Sequence, residues 1–258
     1  MATDFDRTLV WQDAQLHPRT IAALRRAEAA GLHVIVVTGR MVRSIRQALE
    51  PAGLHQPVIC YQGAVVADAD GRWLRHEPIP LELARETIEV LAGEGYSPNV
   101  YVDDVLYVAT DTEQARSYAR LNRIDFHVVG DLLDWLDVSP TKLVAVGEPA
   151  ALDALEPRMK AHFGEREYIS KSLPHFLEFA RAGVTKGAGL DFLAAHLGFT
   201  REQAIAFGDG ENDVELVEWP AFGIAVENAH PRVKAVADWV CPSAADEGVA
   251  QVLEALLD

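Results

Sequence analysis

Short runs of consecutive apolar residues alternate along the chain with stretches whose apolar positions recur every three or four residues. This alternation is the pattern of buried strands interleaved with amphipathic helices. Pro18 opens a helical stretch with Ile21, Leu24 and Ala27 on one face, and Gly31 closes it. Residues 33–37 are apolar at every position after His33, as in a strand covered on both faces within a parallel sheet. A helix over 41–50, stopped by Pro51, and a strand over 58–60 follow. The segments 64–67 and 72–74 flank Asp68-Ala69-Asp70-Gly71 and predict a hairpin.

Beyond Pro78-Ile79-Pro80 the order changes. Helices are predicted over 81–93, 112–123 and 150–163, with strands within 99–109 and over 142–146, 167–170 and 175–179. After Gly183 the first rhythm returns: helix over 186–197, strand over 204–207, helix from Glu211, strand over 222–226, helix over 231–237 and a terminal helix from Asp246. The fold class is therefore α/β, with a core domain built from 1–79 and 183–258 and an α+β domain inserted at 80–182.

Composition narrows the partners. The chain has 258 residues, 49% of them hydrophobic and 24% charged, which is enough apolar material for a sizeable core without disulfides. The net charge of −16 repels nucleic acid and acidic membrane surfaces over most of the molecule. A small anionic substrate then needs a local cation or a bound metal. Cys60 and Cys241 each end an apolar run and lack zinc-type spacing, so they read as buried thiols. No apolar stretch approaches the ~18 residues of a membrane span and no signal peptide is evident, which leads to the expectation of a cytoplasmic protein, monomer or homodimer.

Four polar clusters stand at strand ends or helix starts of the core, where ligands bind in open α/β sheets. Asp4-Phe5-Asp6-Arg7-Thr8 offers two carboxylates, one suited to attack phosphorus and one to transfer protons; a plain turn is the alternative. Thr38-Gly39-Arg40 combines a hydroxyl, a glycine amide and a helix start, a phosphate cradle or an ordinary N-cap. Lys186 stands at a helix start, unfavourable to a cation, so either an anion or carboxylate meets it or it is a solvated surface lysine. Gly208-Asp209-Gly210-Glu211-Asn212-Asp213 packs acids into a glycine-rich turn suited to Mg²⁺, with a capped turn as the metal-free alternative. Convergence of all four describes phosphoryl transfer.

The order DxDxT, TGR after an apolar strand, VTKG and GDGEND resembles the haloacid dehalogenase (HAD) superfamily. The inserted domain, His175-Phe176-Leu177-Glu178-Phe179 before VTKG, and Asn228-Ala229-His230-Pro231-Arg232-Val233-Lys234 are similar to its Cof-type sugar-phosphatase branch, with a class IIB cap. The resemblance implies a Rossmann-like, doubly wound parallel-sheet core with an α+β cap. It implies that Asp4 is the nucleophile and a Mg²⁺ ligand, and that Asp6 is the general acid/base and gives the metal its carbonyl. Thr38 and the Gly39 amide, with Arg40, would bind the phosphoryl group. Lys186 would balance charge, Asp209 and Asp213 would hold the metal, and Asn212 would touch substrate or phosphate. Three departures stand out. Arg7 takes the place of a usual glycine, Gln62-Gly63-Ala64 replaces an Asn-Gly-Ala turn, and only Met1-Ala2-Thr3 precede Asp4.

Within the cap, Lys171, Ser172, His175 and Asp103-Asp104 are candidates for reading a sugar or second anion, while Tyr96, Tyr101, Tyr107 and Tyr118 read as packing. His33, His55 and His162 share no spacing and read as structural. The function expected is a Mg²⁺-dependent phosphatase of small phosphorylated metabolites, sugar phosphates foremost. A hexose phosphomutase and a catalytically weak binding protein are the alternatives.

Overall fold

The computed structural model describes residues 1–258, the side chain of Ser172 excepted. The chain divides into two compact units, Met1–Arg75 with Thr185–Asp258, and His76–Val184.

The first unit begins with β1 (Ala2–Asp4), α1 (Pro18–Ala29), β2 (Ile35–Val37), α2 (Val42–Leu49), β3 (Val58–Cys60), β4 (Val65–Ala67) and β5 (Trp73–His76, whose last residue already falls in the second unit). The second unit contributes α3 (Leu81–Gly93), β6 (Asn99–Val102), β7 (Val105–Val108), α4 (Glu113–Asn122), β8 (Phe126–Val128), α5 (Leu132–Trp135), β9 (Lys142–Val146), α6 (Pro149–Phe163), β10 (Glu167–Leu173) and β11 (Phe176–Arg181). The chain then completes the first unit with α7 (Lys186–Leu197), β12 (Ile205–Gly208), α8 (Val214–Glu218), β13 (Phe222–Val226), α9 (Pro231–Val236), β14 (Trp239–Cys241) and α10 (Gly248–Leu257).

The sheet of the first unit runs β14-β13-β12-β1-β2-β3-β4-β5, with β1 between the strands that come before and after the insertion. From β14 to β3 every pair is parallel, and β3 and β4 pair antiparallel. Both faces of the inner strands are covered, which is why β2 and β3 are apolar at every position. Ala2, Ile35, Val37, Ile59 and Ala206 pack with Leu190, Leu193 and Leu216 of α7 and α8. Strand order reverses at β1, so the carboxyl ends of β12, β1 and β2 open a crevice there. Register fixes what meets in it. Asp4 lies opposite Val37, one residue before Thr38, and Thr3 lies opposite Phe207, two before Asp209.

In the second unit the sheet order is β10-β11-β9-β6-β7-β8, antiparallel except between β7 and β8. Val100, Leu143, Leu177 and Phe179 pack against Ile88 and Leu91 of α3 and Leu155, Met159 and Phe163 of α6. The side chain of Asp131 caps α5 by accepting from the amides of Leu133 and Asp134. β8 and α5 have no counterpart in the sequence reading. Phe126-His127-Val128 is a short, mostly exposed edge strand, and α5 is only four residues long, less than one hydrophobic period can reveal. Both cysteines are free and buried. Among the described residues no helix is long and apolar enough to cross a membrane.

Candidate active site

β1 ends at Asp4, whose side chain is buried where the sheet reverses. The Nζ of Lys186, first residue of α7, lies 2.5 Å from Asp4 Oδ1 and 2.5 Å from Asp213 Oδ1. Thr185 takes the capping position, its Oγ1 accepting from the Ala188 amide at 3.1 Å. The helix start therefore has its cap, and the lysine side chain is left to serve the carboxylates. At 2% exposure Lys186 is no surface lysine.

The loop after β12 brings the remaining acids. Asp213 Oδ2 accepts from the amides of Asp209 and Gly210, both at 2.9 Å, and Asp209 Oδ1 accepts from Thr8 Oγ1 at 3.0 Å. The His230 amide donates to the Asp209 carbonyl at 2.7 Å, which lets the segment after β13 brace this turn. Asp4, Asp209 and Asp213 each present one oxygen, all within 4.8 Å of one another.

Electrostatics follow from this packing. Burial pushes the Asp4 carboxyl well above the usual range, and Asp213 pushes it further while Lys186 opposes. Burial and Asp213 likewise push Asp209 up to about 7. Burial works against the charge of Lys186, yet Asp213 and Asp4 outweigh it and hold the ammonium above the ordinary lysine value. Three buried carboxylates against one buried ammonium leave a net negative charge in the interior of the cluster. Hard oxygen donors and that residual charge fit a divalent cation such as Mg²⁺.

Asp6 is held apart from this cluster. Arg40 Nη2 donates to its Oδ1 at 2.5 Å and Arg40 Nε to its Oδ2 at 2.8 Å, while the guanidinium lies 4.9 Å from the Phe5 ring centroid. Arg40, expected beside the phosphate cradle, is thus engaged with the candidate acid/base. Thr38 is buried, its amide donating to the Ile59 carbonyl at 2.8 Å and its Oγ1 accepting from the Arg40 amide at 3.2 Å. Asn212 Nδ2 donates to Gln62 Oε1 at 2.9 Å.

The turn after β3 carries residues that the sequence reading left out of the site. Gln62 is 1% exposed and sits at φ +59°, a left-handed conformation costly for a residue with a Cβ. Its amide donates to the Thr38 carbonyl at 3.1 Å, and the Tyr61 amide donates to the Arg40 carbonyl at the same distance. A Cβ on Gly39 would stand 2.4 Å from Gln62 Nε2, and one on Gly63 would stand 2.1 Å from the Thr185 carbonyl oxygen. This turn therefore touches three of the four clusters. The available signal was its position after a parallel strand of the same sheet. Asn228 is a second addition, its Nδ2 donating to the Arg7 carbonyl and its Oδ1 accepting from the Ala244 amide, both at 2.8 Å. Arg7 itself adopts φ +62°, the conformation that explains glycine as the usual occupant.

In the second unit, Lys171 is ion-paired with Asp153, and its Nζ lies 3.5 Å from Glu156 Oε2, both on α6. Two neighbouring carboxylates thus engage the ammonium expected to meet a substrate anion. His175 Nδ1 lies 3.1 Å from the Gly147 carbonyl oxygen. Asp103 and Asp104, at φ +49° and +60°, form the tight turn between β6 and β7. The Ser172 side chain lies outside the described residues. Tyr101 and Tyr118 are buried with their hydroxyls 2.8 Å apart, and Tyr107 packs on Trp135 with centroids 4.4 Å apart, as packing residues do.

The sequence profile of the haloacid dehalogenase-like hydrolases matches residues 1–253. The chain belongs to that family. The 5-amino-6-(5-phospho-D-ribitylamino)uracil phosphatase of Bacillus subtilis is 28% identical over 98% of this chain and 96% of its own length. The pyridoxal phosphate phosphatase of Escherichia coli is 29% identical with the same two coverages. A crystallographically solved protein from Thermotoga maritima is 31% identical over 98% of this chain and 96% of its own, with a TM-score of 0.85. The protein is thus an enzyme of a hydrolase family whose similar members include named phosphatases.

Proposed function

We propose that this haloacid dehalogenase-like hydrolase is a Mg²⁺-dependent phosphatase of small phosphorylated metabolites, sugar phosphates foremost, working through a phosphorylated Asp4. The observation that carries this reading is the buried Lys186 ammonium bonded to both Asp4 and Asp213, with Asp209 beside them. In this reading residues 1–79 and 183–258 are the catalytic core, and residues 80–182 are the cap that selects substrates.

One oxygen of Asp4 attacks phosphorus, and the bond to the leaving oxygen breaks as that oxygen takes a proton from Asp6. Water deprotonated by Asp6 then cleaves the acyl phosphate, releasing inorganic phosphate and restoring Asp4. In the arrangement described, both Asp6 oxygens accept from Arg40, which suits the base of the second step. Delivering a proton in the first step requires one of those oxygens to leave the guanidinium. Thr38 Oγ1 and the Gly39 amide would hold the transferring group, while Lys186 offsets the charge of Asp4 and Asn212, placed by Gln62, contacts phosphate or substrate. Asp4, the Asp6 carbonyl, Asp209 and Asp213 would hold Mg²⁺, which supplies charge neutralisation to the phosphoryl oxygens when bound.

Phosphate release from p-nitrophenyl phosphate and a metabolite panel tests the reading. The panel holds sugar phosphates, together with pyridoxal phosphate and the ribitylaminouracil phosphate for which the two relatives are named. Turnover should require Mg²⁺, stop in EDTA and be lost in Asp4→Asn. Undiminished turnover in Asp4→Asn would refute the covalent route.

A further inference from the structure

Arg7 is the residue whose presence the proposed reaction does not explain. Its backbone lies at φ +62°, strained for any residue with a Cβ. Nothing in the chain's course demands a long side chain there, because Asn228 holds this position through the Arg7 carbonyl alone. The guanidinium turns towards the acidic cluster. Its Nε is 3.7 Å from Asp209 Oδ2, the oxygen not taken by Thr8, and its Cζ lies 5.9 Å from the Trp11 ring centroid. The side chain remains 47% exposed.

Charge gives the consequence. Asp6 is matched by Arg40, and Lys186 offsets one of the three clustered carboxylates. A divalent cation entering without Arg7 would meet two uncompensated negative charges. With Arg7 present it meets one, and must displace or tolerate a cation already beside Asp209.

We propose that Arg7 is a tethered cation that competes with the divalent metal for Asp209 and loosens the metal site. The proposal rests on the reading of Asp4, Asp209 and Asp213 as metal ligands. It makes metal affinity a property set by one residue at the rim, outside the ligand set. It also couples the metal to the substrate, since a phosphoryl dianion restores the negative charge that Arg7 cancels.

Binding of Mn²⁺, followed through the electron paramagnetic resonance signal of the free ion, with Mg²⁺ measured by displacement, tests this without any turnover. The comparison is wild type, Arg7→Met and Arg7→Lys. Met and Lys meet the same left-handed backbone, so their difference isolates charge, which Arg7→Gly would not do. Arg7→Met should bind the ion roughly two- to fivefold more tightly, the range open to a half-exposed ion pair. Arg7→Lys should stay near wild type, and the gap should close as salt is raised. Equal affinity of wild type and Arg7→Met overturns the proposal, as does an Arg7→Lys variant as tight as Arg7→Met. Binding that persists undiminished in Asp209→Asn, or is absent from every variant, overturns it together with the metal assignment. Phosphate release by wild type against Asp4→Asn then judges the phosphatase reading separately.

Discussion

Replacing Lys186 with Met tests whether one buried ammonium holds the acidic cluster together. The side chain that is lost is 2% exposed and donates to two carboxylates, Asp4 and Asp213, at 2.5 Å each. Met fills nearly the same volume, so the perturbation is one of charge rather than of packing. Breaking a buried ion pair on one side costs about 3–5 kcal/mol, because the remaining charge stays buried without a partner. Two carboxylates are orphaned here, with Asp209 close to both, which places the expected loss at the upper end. At roughly 2–4 °C per kcal/mol for a chain of this size, the unfolding midpoint should fall by about 10–20 °C. The sign with pH is determined. Lys186 is held above the ordinary lysine value, so its contribution is fully present at neutral pH and disappears only in strong alkali. Without it, nothing opposes the burial and the Asp213 charge that already raise Asp4, and the Asp4 carboxyl takes up a proton more readily on acidification. The gap to wild type should therefore be largest in EDTA at about pH 7.5 and narrow towards about pH 5. Mg²⁺ should restore part of the stability, by neutralising the cluster, without restoring turnover. Calorimetric unfolding of both proteins, with EDTA and with Mg²⁺, provides the numbers. A variant within about 1 kcal/mol of wild type in EDTA at neutral pH would refute the argument, since no buried charge of this kind is so cheaply left unpaired.

Gln62→Ala removes the acceptor of Asn212 Nδ2 and the amide over Gly39, and an unpaired buried amide costs about 1–3 kcal/mol. We expect kcat/KM to fall about tenfold or more with Mn²⁺ affinity unchanged, read from steady-state kinetics beside metal titration. Glu167 makes the second unit sensitive to pH. Burial pushes its carboxyl up to about 7 against the hydrogen bond from Thr87, and among the described residues its Oε2 has no hydrogen-bond partner. The folded state then keeps a proton that the unfolded chain releases, so stability falls as pH rises from about 4.5 to 7, by on the order of 3 kcal/mol, and is flat above. Glu167→Gln should remove this slope and be the more stable protein at pH 8 by urea unfolding.

What the sequence shows and what it hides follow from how each residue does its work. The parallel strands were legible because burial on both faces leaves uninterrupted apolar runs, and the acids at their ends stood out against those runs. Residues 33–37 and 204–207 carry that contrast most clearly. Lys186 was legible as an anomaly, a cation at the wrong end of a helix, and the structure resolves the anomaly with two carboxylates. Gln62 stood out only as a departure from an Asn-Gly-Ala turn, and its role was hidden for the opposite reason. Its action depends on a left-handed backbone and on contacts with Thr38, Gly39 and Asn212, the last 150 residues away in sequence. Nothing in the residue type announces them. The ion pairs of Lys171 were illegible because its partners on α6 lie fifteen and eighteen residues away and carry no local pattern. Arg7 lies between these cases. Sequence alone marks it as a residue out of place, and only the φ of +62° together with 3.7 Å to Asp209 turns that mark into a physical question. A strained cation beside a buried carboxylate of the acidic cluster costs the fold something at two levels, backbone and charge. That double cost is the reason to look for its effect in metal affinity, where both the direction and the size of the change are constrained by the site itself.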